Sequence, residues 1–257
     1  MKSRRTLLAR AYLLHGLPYR DTSRILEVFT REQGRVSVFA RGVRGPKARL
    51  ASLLQPFQPL LISFSSRGEA AQLTGAESAH QAEHRGGSSA LGLPPAALLS
   101  GFYLNELLLK LTTRHDPNPT LFDAYEHTLQ ALGGGAAQEP VLRRFELALL
   151  QESGYGLDLT HTVAGSAVTE TGYYQFRPAA GLFASTAEQA GALRGAALLK
   201  LAAGTLQDAG ELAAARRVLA AALEHCLEGR PISTRAVARA CVGSALLPEP
   251  PTESAKA

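Results

Sequence analysis

Five short strand-like segments crowd the first 80 residues, and that spacing constrains the fold more than any other feature of the chain. Leu7–Leu14 is apolar and stops at Gly16-Leu17-Pro18. Ile25–Thr30 is β-branched and aromatic, Glu32-Gln33-Gly34 is a turn signal, and Arg35-Val36-Ser37-Val38-Phe39-Ala40 alternates polar and apolar. A strand, a glycine turn and a strand of period two make a hairpin. Pro59–Phe64 and Ala71–Ala76, joined by a turn at Ser65–Gly68, supply the fourth and fifth strands. Five strands this short predict a small closed or partly closed barrel, either of the oligonucleotide-binding (OB) type or SH3-like.

The pattern changes after His80. Gly86-Gly87-Ser88-Ser89 reads as a linker. Pro94 and Pro95 then open a helix carrying Leu98, Leu99, Phe102, Leu107, Leu108 and Leu111. Asn118-Pro119-Thr120 opens a second helix, stopped by Gly133-Gly134-Gly135. Pro140 opens a third, with Leu142, Phe145, Leu149 and Leu150 on one face. Residues 155–185 break the helical period and predict a small irregular insert, with one possible strand at Thr171–Phe176. From Ala187 the chain is Ala/Leu-rich and helical, with breaks near Gly204, Gly210 and Gly229-Arg230-Pro231 and a last helix start at Ser233-Thr234-Arg235. The expected class is α+β: a barrel domain over 1–80, a mainly helical domain over 81–247 with the insert at 155–185, and a disordered, proline-rich tail over 248–257.

The net charge of +5 is unevenly spread. Residues 1–85 carry an excess of eight positive charges, whereas the remainder carries an excess of three negative ones. A basic barrel beside a mildly acidic helical part points to an anionic partner for the barrel, nucleic acid above all. The two cysteines, Cys226 and Cys241, are too few for a four-cysteine zinc site or a disulfide framework and read as buried thiols of a reducing compartment. The stretch Ser88–Asn105 is uncharged but broken by Pro94 and Pro95, so no membrane span is expected. Arg4-Arg5 resembles a twin-arginine export start, but Arg10 interrupts the apolar run that would have to follow. A cytoplasmic protein is expected.

Enzyme motifs fail one by one. Gly42-Val43-Arg44-Gly45-Pro46-Lys47 has the wrong spacing for a phosphate loop and puts Pro46 where a backbone N–H is needed. Gly154-Tyr155-Gly156 lacks the third glycine of a dinucleotide fingerprint, with Leu159 in its place. Gly165-Ser166 has no second glycine for a nucleophile elbow. His80 and His84 stand four apart without further ligands. No enzyme, metal site or cofactor is expected, although a hydrolase or transferase with a hidden site, or an adaptor with an incidental basic loop, remains as an alternative. The strongest positive signal is Arg41-Gly42-Val43-Arg44-Gly45-Pro46-Lys47-Ala48-Arg49: four cations among glycines that let backbone N–H groups approach phosphates. Arg41, Arg44, Lys47 and Arg49 are the candidate nucleic-acid contacts, with Arg24 and Arg35 in support and Arg20, Arg31 and Arg67 nearby. Of the barrel aromatics Tyr12, Tyr19, Phe29, Phe39, Phe57 and Phe64, most read as core, and Tyr19, after Pro18, as surface. Arg143-Arg144 beside Phe145, Leu149 and Leu150 could hold a short peptide with an acidic or carboxylate end.

Several blocks together resemble the RecO family of bacterial DNA-repair proteins: Val38–Gly45, Leu54-Gln55-Pro56-Phe57-Gln58-Pro59-Leu60, Tyr103-Leu104-Asn105-Glu106-Leu107-Leu108, Arg144–Leu150 and Gly154–Leu159, in the family's order up to about residue 245. The resemblance implies an N-terminal OB barrel, a helical C-terminal domain, and a recombination mediator rather than an enzyme, acting at the nucleoid during repair. Such proteins bind single- and double-stranded DNA, anneal complementary strands and contact the acidic, Phe-ended tail of the single-strand-binding protein SSB. With RecR they help RecA load on SSB-coated DNA. Arg143 and Arg144 would then be candidate contacts for the SSB tail. Many members carry a four-cysteine zinc module after the Gly-Tyr-Gly block, but residues 157–185 here hold no cysteine, so a zinc-free member with an insert held by packing is expected. A generic OB-fold RNA-binding protein is the alternative.

Overall fold

The computed structural model describes residues 4–44, 50–66, 71–79 and 92–238. Strands β1 (Arg4–Tyr19), β2 (Ser23–Thr30), β3 (Gly34–Ala40), β4 (Pro59–Ser66) and β5 (Ala71–Ser78) close into a barrel in the order β1-β2-β3-β5-β4. All pairs are antiparallel except β3 with β5. This five-stranded closure is that of an OB fold. β1 is longer than its sequence suggests. It runs through Gly16-Leu17-Pro18 to Tyr19, with Pro18 opposite Arg24. Pro18 is tolerated because β4 pairs only with residues 4–12 of β1, leaving the far end an edge.

The barrel interior holds Leu13, Leu26, Val28, Val36, Val38, Leu60, Ile62 and Phe64. Each fully buried side chain of this size is worth about 1.5–3 kcal/mol relative to exposure. Because the side-chain period is two, the neighbours of these residues point outward. Tyr12, Leu14 and Phe29 do so, and join a second core built by the helices.

That second core is formed by α1 (Leu98–Leu111), α2 (Pro119–Gly133), α3 (Gln138–Glu152), α4 (Gly195–Ala203) and α5 (Ala209–Cys226). Asn118 caps α2, its side chain accepting from the Leu121 N–H at 2.8 Å ahead of Pro119. Asp208 and Glu211 form a reciprocal capping box on α5, so Gly210 lies inside that helix instead of breaking it. Cys226 is buried at the end of α5; Cys241, the linker and the tail over 248–257 lie outside the described residues. The insert is more regular than its composition suggests. β6 (Tyr173–Arg177), β7 (Gly181–Ser185) and β8 (Leu193–Arg194) make a three-stranded sheet in the order β7-β6-β8. The Tyr174 hydroxyl accepts from the Thr169 N–H at 2.9 Å and ties the sheet to the loop before it.

A last helical segment at 233–238 starts where the sequence predicts. The Glu106 carboxylate on α1 receives it, accepting from the backbone N–H of Ser233 (2.7 Å) and Thr234 (2.9 Å) and pairing with Lys110 at 2.9 Å. Partial burial works to raise the Glu106 pKa, but the bonds from Thr234, Lys110 and Ser233 prevail and hold it down at about 2.

Barrel and helices share a polar seam around their common apolar core. Asn105 donates to the Leu14 carbonyl at 2.9 Å and accepts from the Tyr125 hydroxyl at 2.5 Å. Tyr12 and Arg10 both donate to Glu126 at 2.9 Å, and Arg31 grips Asp123 with two bonds of 2.9 Å. At Gly34 the backbones approach so closely that a Cβ would sit 2.0 Å from the Asp116 carbonyl oxygen, and φ is +65°. Only glycine fits there.

Candidate nucleic-acid interface

Strand pairing dictates which barrel side chains meet at the end away from the helices. Leu17, Ile25 and Phe39 are direct partners across β1, β2 and β3. Leu26 and Val38 face inward, so the row of Leu17, Ile25 and Phe39 faces outward. A register shift between Leu13 and His15 makes this possible. Before it, Tyr12 and Leu14 point outward into the helical core; after it, Leu17 and Tyr19 take the outward positions on bare surface. Bulges re-aim side chains in this way.

Tyr19 is 39% exposed and meets Phe39 edge to face, with ring centroids 5.4 Å apart. The Arg20 guanidinium lies 5.4 Å from the Tyr19 ring centre and that of Arg41 5.5 Å from Phe39. The two loops carrying these arginines are stitched together. Val43 and Arg44 donate their backbone N–H to the Thr22 carbonyl at 2.9 and 3.1 Å, and the Arg44 side chain donates to the Arg20 carbonyl at 3.0 Å. Arg20, Arg41 and Arg44 thus cluster at one end of the barrel. Arg24 is anchored at the rim by a 3.4 Å bond to the Leu54 carbonyl and lies over Gly16, where a Cβ would come within 2.7 Å of its guanidinium. Lys47, Arg49 and Arg67 lie outside the described residues.

Arg35 is not brought to this cluster. It sits at the other end of β3, half-buried in the seam, pairing with Glu27 at 3.4 Å and donating to the Thr112 carbonyl at 2.8 Å. Burial lowers its pKa, the nearby Glu27 opposes that, and Arg114 reinforces it.

Adjacent in sequence, Arg143 and Arg144 face different grooves. Arg144 lines one of about 350 Å³ with His127, Ala131, Val141 and Phe145. The Arg143 side chain is only 8% exposed and pairs with the fully buried Glu146 at 2.7 Å. Glu146 Oε1 also accepts from the Tyr103 hydroxyl at 2.6 Å, and that hydroxyl accepts from Arg235 at 2.8 Å. Burial pushes the carboxyl of Glu146 up, with Arg143 pulling against it, and pushes the Tyr103 phenol up as well. Arg143 Nε and Nη1 and Glu146 Oε2 have no hydrogen-bond partner among the described residues. Arg143 lines a pocket of about 190 Å³ with Leu99, Ser100, Leu142 and Arg235, beside the exposed Leu98 and Phe102. Arg235 carries no sequence signal that would single it out, because only the docking of 233–238 on Glu106 brings it here.

A cavity of about 570 Å³ lies behind the Gly-Tyr-Gly loop, lined by Tyr155, Asp158, His161, Phe176, His225 and Cys226. Among the described residues no three His, Cys, Asp or Glu side chains converge as metal ligands, and residues 157–185 contain no cysteine, so this chain does not fit a four-cysteine zinc module. Among the described residues no helix is long and apolar enough to cross a membrane.

Two family models match, described as "Recombination protein O N terminal" over residues 1–82 and "Recombination protein O C terminal" over residues 95–236. The DNA repair protein RecO of Azoarcus sp. (strain BH72) is 42% identical over 233 residues, covering 88% of this chain and 93% of the relative. That of Pectobacterium atrosepticum is 41% identical, covering 94% and 96%, and that of Methylococcus capsulatus 40%, covering 91% and 94%. With both domain models aligned to the barrel and the helical core in turn, the chain belongs to the RecO family, whose role is in DNA repair and recombination.

Proposed function

We propose that this protein is a recombination mediator that works by binding and not by a covalent step. The observation that carries the reading is the arginine cluster at the bare end of the barrel, where Arg20, Arg41 and Arg44 are held together by bonds between their two loops. Arg24 at the rim extends it, and Lys47 and Arg49 of the same basic sequence are proposed as further contacts. These cations neutralise phosphates of single- and double-stranded DNA, lowering the repulsion between two strands so that complementary bases can meet and anneal. Arg35 would reach phosphates only by leaving Glu27 and Thr112, so its part is to join barrel to helices.

The helical domain holds the SSB tail. Arg143 is the better supported of the two candidate contacts. Its unpartnered nitrogens, the neighbouring Arg235 and the exposed Leu98, Leu99 and Phe102 suit a peptide that ends in a carboxylate and an aromatic ring. Tethered in this way to SSB-coated DNA, the protein would act with RecR to promote RecA loading.

The test is single-stranded DNA binding against salt for the wild type and for Arg41→Ala/Arg44→Ala/Lys47→Ala. Three lost phosphate contacts should flatten the log–log slope by about 2. An unchanged slope and affinity would remove the barrel end as the DNA site. For the tail, Arg235→Ala should weaken SSB-tail peptide binding more than Arg144→Ala does; the reverse order would move the peptide to the Arg144 groove. Stronger binding of RNA than DNA, with no binding of the SSB tail, would favour a generic RNA-binding protein.

A further inference from the structure

We infer that Tyr19 and Phe39 form a stacking platform for unpaired bases, which makes the arginine end of the barrel selective for single strands over duplex. The inference rests on the reading of that end as the DNA site and adds what is recognised there besides phosphate.

The geometry is a ladder of cation, ring, ring, cation. Arg20 stands over Tyr19, Tyr19 abuts Phe39, and Arg41 stands over Phe39, with successive separations of 5.4, 5.4 and 5.5 Å. Tyr19 and the 54%-exposed Leu17 lie on the outward face of β1, and Ile25 and Phe39 continue that face across β2 and β3. Strands 2 and 3 with their adjoining loops are where OB barrels present ligand surface. A row of apolar and aromatic side chains on an outer sheet face, with Leu17 and Tyr19 exposed and Ile25 and Phe39 half-buried, offers a surface to an occupant. Here the flanking charges choose it, because among the described residues no carboxylate pairs with Arg20, Arg24, Arg41 or Arg44. A polyanion with flat apolar faces, a single nucleic-acid strand, satisfies both halves of the surface. In a duplex the base faces are already stacked on each other, so only its phosphates can engage.

The experiment compares an oligo-dT strand, a strand of equal length made of abasic sites, and a hairpin duplex, by fluorescence anisotropy. The proteins are wild type, Tyr19→Ala, Tyr19→Phe, Phe39→Leu and Arg41→Ala/Arg44→Ala. Stacking one base on an aromatic side chain changes affinity roughly ten-fold. Wild type should therefore bind oligo-dT about ten-fold more tightly than the abasic strand. Tyr19→Ala should lower oligo-dT affinity about ten-fold more than duplex affinity, with the salt slope kept, and Tyr19→Phe should restore it. Equal binding of oligo-dT and abasic strand by the wild type, a comparison that depends on no variant folding, would overturn the platform. If the arginine variant still flattened the salt slope in that case, the DNA site would stand without the platform; if it did not, both readings would fall. A Tyr19→Ala protein that binds oligo-dT normally would show that the bare row serves another occupant, such as an acidic protein, and would also overturn the inference.

Discussion

The outer surface of one barrel carries aromatic side chains at both ends, and the two ends have opposite fates. At one end Tyr12, Leu14 and Phe29 are sealed under Phe122, Tyr125 and Leu104. At the other, Leu17 and Tyr19 stand in the open beside Ile25 and Phe39. The aromatic content is alike, but the ionic company is not. Around the sealed end, Arg10 and Arg31 meet Glu126 and Asp123 from the helices, and Arg114 from the helical side meets Glu27 of the barrel. Around the open end, Arg20, Arg41 and Arg44 meet rings and a carbonyl. An aromatic row whose arginines are matched by carboxylates of the same chain is an internal interface. One whose arginines meet no carboxylate among the described residues suits a polyanion from outside, which is the proposed role of this end.

That contrast can be broken at the sealed end without touching the open one. Gly34→Ala should have the largest effect: it puts a methyl group into the Asp116 carbonyl at a positive φ and should cost about 3 kcal/mol or more of stability. Thermal denaturation checks it, and a melting curve like that of wild type would mean the two backbones are not clamped there. Asn105→Ala comes next, at about 2 kcal/mol, because it strips the Leu14 carbonyl and the Tyr125 hydroxyl of their buried partner at once; urea unfolding measures this.

A smaller effect comes from acid. Glu106 is held at about 2 against an ordinary 4.5, so the stabilisation it gives is fully present above about 4.5 and is lost as pH falls towards 2. The segment at 233–238 should undock over that window, and Glu106→Gln should remove the pH dependence, as followed by amide exchange of Ser233 and Thr234. The smallest effect belongs to Arg31→Ala on the half-exposed rim of the seam. Its shift in melting temperature should shrink at about 1 M salt, where the screening length falls to about 3 Å and a half-exposed pair loses much of its attraction.

Much of the fold was legible because its signals are local. The strand periods, the Gly34 turn, the proline helix starts and the last helix at Ser233 all depend on residues within a few positions of each other. Phe39 was missed, since among the barrel aromatics only Tyr19 reads as surface: in Arg35-Val36-Ser37-Val38-Phe39-Ala40 it shares the parity of Arg35 and Ser37, and the structure turns it outward with them. The seam was not legible. Arg10 and Glu126 are 116 residues apart, and nothing near Arg35 tells that its guanidinium turns to Thr112 instead of joining Arg41. Adjacent arginines at 143 and 144 look equivalent in sequence, but the turn of a helix sends one to a buried carboxylate and the other to open groove.

The sharing of Tyr12, Leu14 and Phe29 with the helical core has a consequence for how the molecule is made. On a ribosome the barrel emerges first, and its last strand, ending at Ser78, precedes Phe122 and Tyr125 by about 45 residues. At about 5–20 residues per second that interval lasts on the order of 2–9 s. For that time the nascent barrel carries two sticky ends where the finished protein shows one. An excised barrel fragment would keep both for good, so its adhesion to nucleic acid, to itself or to a chaperone would report on a surface the whole protein never displays.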